Sequence, residues 1–157
     1  MERTKVFLSY SHKDEDWKHR LYTQLCVLEQ QGLLELWCDR DIEAGREWEE
    51  EINRNLLSAK IAVLVISANF LASKFVVNEE VPRLLRQHEA TGMRVIPVLL
   101  KNCVWEAVPW LERLEMLPRD RIPVAELPES KIDGALAGVA REIFVRLVSR
   151  NVEGGTA

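Results

Sequence analysis

Ile61-Ala62-Val63-Leu64-Val65-Ile66 is six apolar residues in an unbroken row, rich in β-branched types. The run is strand-sized, and it has no polar position to turn toward water. Such a segment is a strand covered on both faces, the pattern of a parallel sheet between helices. Working outward, Lys5-Val6-Phe7-Leu8-Ser9-Tyr10 and Leu33 to Cys38 read as strands before it. Arg94 to Leu100 reads as a strand after it, and Pro97 argues for an edge-like or irregular position. Helical spacing fills the intervals. Trp17, Leu21, Leu25 and Leu28 predict a helix over 14–31, opened by a Ser11 cap with Asp14 three residues on and closed by Gly32. Trp48, Ile52 and Leu56 predict one at about 47–58, and a third covers about 70–90, interrupted at Pro82. Ile132, Leu136, Val139, Ile143 and Leu147 predict a last helix ending near Val148.

Residues 101–121 are the least regular stretch, and Ile122 to Ala125 is a weak strand candidate. The expected division is one domain over 1–150 and a linker-like tail over 151–157. Alternation of strand and helix implies an α/β open sheet, which binds ligands at the carboxyl ends of its strands. The residues that follow each strand therefore carry the functional question: Ser9 to His12, Asp39 to Gly45, Ser67 to Phe75 and Lys101 to Trp105.

With 157 residues the chain suits one domain with its own core. A net charge of −4 argues against a dedicated nucleic-acid binder. No apolar run reaches membrane-spanning length, and the first residues lack a signal-peptide pattern, so a cytoplasmic location is expected. The three cysteines have no CxxC spacing and the three histidines are scattered, so neither a disulfide framework nor a metal site is expected. Phosphate-cradling GxxxxGK[ST] and GxGxxG loops and the GxSxG elbow are absent from the sequence. A phospho-acceptor domain of this topology would carry acids after the first and third strands, where this chain has Ser9-Tyr10 and Ser67-Ala68. Asp39 and Asp41 read as an exposed acidic loop in preference to a metal array.

Two adjacent carboxylates on the third helix differ. Glu79 stands four residues before Arg83, a favourable exposed pair. Glu80 shares a ridge with Val76, Val77 and Leu84, so it projects toward protein. A carboxylate there is costly unless paired or facing a cleft, and the plain alternative is a helix-edge glutamate that reaches out to water.

At this point the chain resembles a TIR (Toll/interleukin-1 receptor) domain of the bacterial type. The resemblance rests on Val6 to Asp14 with its Ser9-Tyr10-Ser11 and Lys13-Asp14, then Trp37-Cys38-Asp39, then Ile42-Glu43-Ala44-Gly45 with Trp48 to Ile52. Val65-Ile66-Ser67, Phe70 to Phe75 and Glu80-Val81-Pro82 complete it, over about residues 4–148. It implies a flavodoxin-like open sheet of about five parallel strands with helices on both faces. It implies NAD+ cleavage at the nicotinamide–ribose bond, with Glu80 as the catalytic carboxylate. Ser9, Tyr10, Ser11 and His12 would meet the substrate from the first loop, and Asp39 from the second. Trp48 or Phe75 would supply an apolar wall, with Ser73 and Val76 nearby. Several active members carry an aromatic residue where this chain has Val76, with Phe75 adjacent, and the first loop offers His12 and Lys13 in place of arginine.

The resemblance also makes the segment around Asp41, Ile42 and Gly45 the BB loop through which such domains self-associate. The implied function is an NAD+ glycohydrolase or cyclase, switched on by self-assembly, acting in bacterial antiphage defence and joined to a sensor domain. NAD+ is then a substrate and no further cofactor is expected. The reading from a different class is a non-catalytic module that binds other TIR domains.

Overall fold

The computed structural model describes residues 3–38, 58–74 and 76–155. Four strands, β1 (Thr4–Ser9), β2 (Leu34–Cys38), β3 (Ile61–Ile66) and β4 (Arg94–Leu99), form one sheet in the order β2-β1-β3-β4. Every pairing is parallel. All six residues of β3 are buried, as an unbroken apolar run requires. Proline cannot donate to a ladder, and β4, which contains Pro97, lies at the sheet edge.

The strands sort their side chains by parity. Val6, Leu8, Tyr10, Ile61, Val63 and Val65 join one core, beneath α1 (Glu15–Gln30) and the last helix. Phe7, Ala62, Leu64 and Ile66 join the other core. That second core is closed by α2 (Ala68–Leu71) and α3 (Val81–Thr91). The last helix, α4 (Glu129–Gly155), packs Leu136, Val139 and Ile143 against Leu21 and Leu25 of α1. Gly32 ends α1 with a φ of 74°, and the Leu33 N–H reaches back to the Leu28 carbonyl at 3.1 Å. This is the closure expected of a left-handed glycine just past a helix.

Three expectations change. Ile122–Ala125 is not a strand: Val124–Glu126 is a 3₁₀ turn, and Leu117 makes a single parallel bridge with Val98 at the β4 edge. Pro123 lacks the donor a ladder needs, and Leu117 already bonds both Pro97 and Leu99. The described sheet thus has four strands where about five were expected. The stretch 151–155, expected as linker-like, continues α4, because nothing before Gly154 breaks the backbone ladder. The helix expected at 47–58 lies outside the described residues apart from Ser58.

Candidate functional site

Helical character after β3 does not run unbroken to residue 90. Ser67 caps the short α2, its Oγ accepting from the Phe70 N–H at 3.1 Å. A π-helical turn over Val76–Glu80 follows, and α3 begins at Val81. Pro82 explains the change of winding: it offers no N–H and crowds the preceding turn, and a proline fits best at a helix start. π turns of this kind are frequent at functional sites. The turn puts Val76 and Glu80 on the buried side, 4% and 1% exposed. Val77, expected on the same ridge, faces water at 40%. Glu79 is exposed, with its carboxylate 4.0 Å from Arg83.

Ser9 ends β1 on the face that α3 covers, and its Oγ donates to Glu80 Oε1. Both residues are buried. The strand end and the helix start, 71 residues apart in sequence, are thereby joined by one hydrogen bond. That bond offsets part of the cost of enclosing a carboxylate.

Tyr10 does not join them. Successive strand residues point to opposite faces, so it enters the α1 side, where the Lys18 ammonium lies 4.8 Å from its ring centroid. Lys18 is itself buried, pairing with Glu15 at 3.1 Å. Ser11 caps the turn His12–Asp14, and His12 is exposed beside the Tyr10 ring. Ser73 Oγ accepts from the Val76 N–H at 3.3 Å, which opens the π turn. Asp39, Asp41, Ile42, Gly45, Trp48 and Phe75 lie outside the described residues.

A second polar cluster was not anticipated as a unit. Asp14 is buried and accepts from Ser67 Oγ at 2.5 Å, Asn69 Nδ2 at 3.0 Å and Lys101 Nζ at 2.8 Å. Burial alone would raise its pKa. The hydrogen bonds from Lys101, Ser67 and Asn69, with the charge of Lys101, outweigh burial and hold it below the ordinary carboxylate value. The available signal was positional, since Ser67 stands directly after β3 and Lys101 two residues after β4. Among the described residues no group of three His, Cys, Asp or Glu side chains is placed to hold a metal ion.

The family match decides what this arrangement belongs to: the TIR domain family matches residues 6–127. The chain belongs to the TIR domain family. An uncharacterized protein, y4lF, of Sinorhizobium fredii is 36% identical over 138 residues. That match covers 88% of this chain and 42% of the relative, so the TIR domain here spans about two-fifths of the length of the curated protein it matches. Among solved structures, it resembles the TIR domains of the activated Roq1 resistosome, which directly recognises the pathogen effector XopQ. The TM-score is 0.51 at 24% identity, covering 88% of this chain and 84% of that one. A prokaryotic SEFIR domain gives a TM-score of 0.52 at 16% identity, covering 88% and 90%. Both likenesses concern the fold.

Proposed function

We propose that this TIR domain cleaves NAD+ between nicotinamide and ribose, with Glu80 as the catalytic carboxylate. The observation that carries the reading is a buried glutamate on a π turn, bonded to the hydroxyl that ends β1 at the ligand-binding edge of the sheet. Nicotinamide leaves as a neutral molecule from a pyridinium, so the step needs no general acid. The C1′–N bond breaks and positive charge develops on the ribose, as in glycoside hydrolysis. A desolvated carboxylate beside the ribose stabilises that charge. In the free domain Ser9 fills one Glu80 oxygen, and a ribose hydroxyl would take its place. Attack by water at C1′ gives ADP-ribose and a proton, and attack by the adenine gives a cyclic isomer.

Self-assembly belongs to the same proposal, with Asp41, Ile42 and Gly45 in the contact loop. The resistosome likeness supports assembly, and the longer Sinorhizobium relative supports a further domain in the parent chain. Antiphage defence is the setting we propose. A cytoplasmic location fits this role, and among the described residues no helix is long and apolar enough to cross a membrane. The interaction-module reading has its own observation. Val27 and Phe144, 60% and 40% exposed, flank a groove of about 260 Å³ between α1 and α4. Larger exposed apolar patches mark contact surfaces.

The deciding experiment is nicotinamide release from NAD+ by the purified domain at high concentration. Glu80→Gln should abolish release with the fold intact, and Glu79→Ala should leave the rate within about twofold, as expected of an exposed side chain making no transition-state contact. Equal release by the Glu80→Gln protein would overturn the assignment. Absence of release from the wild type, even when clustered by fusion, would leave the interaction module as the function.

A further inference from the structure

We propose that Asp14 is a positioning residue, a latch that holds the loop after β1 against the ends of β3 and β4. The proposal deepens the NAD-cleavage reading and rests on it for the identity of the ligand that the loop meets.

Asp14 has no exposed side-chain surface, yet its carboxylate gathers donors from three separate places. Ser67 comes from the end of β3, Asn69 from α2, and Lys101 from the residue that follows Leu100 beyond β4. The partners stand 53, 55 and 87 residues away in sequence, so the contact ties the rim of the sheet across its carboxyl edge. The backbone of Asp14 closes the loop from the other side. Its N–H donates to the Ser11 carbonyl at 2.8 Å, and the Ser11 hydroxyl accepts from the Lys13 N–H at 3.3 Å.

Between these two closures the loop has little apolar anchorage of its own. His12 and Lys13 are exposed and Ser11 is half-buried. The carboxylate is therefore what sets where Ser11, His12 and Lys13 sit. Glu80 is held differently, by its bond to Ser9 and by the packing of Val76, Val81 and Leu84. The side chains bonded to Asp14 (Ser67, Asn69 and Lys101) are not those named as holding Glu80. Loosening the latch should weaken substrate binding by the loop and leave bond cleavage at Glu80 nearly intact.

The test compares wild type, Asp14→Asn and the double variant Asp14→Asn/Lys101→Met. The double variant also removes the half-exposed Lys101 ammonium that the single variant leaves without its Asp14 partner, so it should regain part of the thermal stability that the single variant loses. The latch predicts that its KM for NAD+ nevertheless stays raised about tenfold while kcat stays within about threefold of wild type. It also predicts faster amide hydrogen exchange at Ser11 to Asp14, with β2 and α4 unchanged. A stabilised double variant with wild-type KM would show that the cluster serves only folding and would overturn the proposal. So would a fall in kcat with KM unmoved, which would place the effect at Glu80. The exchange measurement scores the latch without turnover. If the wild type releases no nicotinamide even when clustered by fusion, the cleavage reading fails by itself, and unchanged exchange at Ser11 to Asp14 overturns the latch separately.

Discussion

Glu79 and Glu80 are neighbours with opposite environments, and the difference arises from one turn of backbone. Glu79 makes an exposed ion pair that contributes about 0.5 kcal/mol or less. Glu80 is enclosed and hydrogen-bonded to Ser9, so its removal touches the proposed chemistry. Asp14 shows how charge can be held inside a TIR domain. Its pKa is lowered in the fold, so it favours the folded state above the ordinary carboxylate range. That contribution disappears as the pH falls through the lowered value. Asp14→Asn should therefore cost most stability at neutral pH, where the Asp14 carboxylate is charged and bonded to Lys101, Ser67 and Asn69. The gap between the two melting temperatures should close on acidification. A gap independent of pH down to acid unfolding would show that the Asp14 charge is not what stabilises the cluster.

At the scale of elements, α3 continues the π turn that carries Glu80 and is bounded by two backbone devices. Pro82 fixes its start after the π turn, and Gly92 ends it with a φ of 76°. A Cβ at Gly92 would meet nothing within 4 Å, so the cost of Gly92→Ala is purely one of backbone conformation. It should lower stability by about 1 kcal/mol, read from the midpoint of urea unfolding, with the m-value unchanged. Leu84 is fully buried between the π turn and the sheet. Leu84→Ala should cost about 2–5 kcal/mol and should reduce nicotinamide release as well, because it undermines the helix start that aims Glu80. Full activity in a protein so destabilised would argue against any role of this packing in the site.

For the whole molecule, the prediction concerns association. If the contact loop completes the site of a neighbouring copy, nicotinamide release per domain should rise with protein concentration. Gly45→Pro, which fixes φ in that loop, should flatten the dependence without lowering the melting temperature by more than a few degrees. Strictly constant specific activity in both proteins would remove assembly from the mechanism. The fold itself rests on packing on both sides of one sheet. Leu136 and Ile143 of α4 are buried on one face, and Leu84 and Phe70 on the other.

Much of this was legible in the chain alone, because local pattern decides local structure. A six-residue apolar run rich in β-branched side chains is too short for an ordinary buried helix and fits a strand covered twice, so Ile61–Ile66 announced the parallel sheet. Pro97 announced its edge, for want of a donor. Helical spacing alone separates Glu80 from Glu79. The tertiary structure decided what depends on partners distant in sequence or on competition for one place. It put Tyr10 across the sheet from Ser9, since only the register of β1 fixes which parity faces which helix. It let Leu117 take the β4 edge in place of residues 122–125. It also made Asp14, which reads locally as a helix-start acid, the meeting point of Ser67, Asn69 and Lys101. Hydrogen bonds of that reach leave no periodicity in a sequence, because the chain between the partners is free to take any path that folding closes.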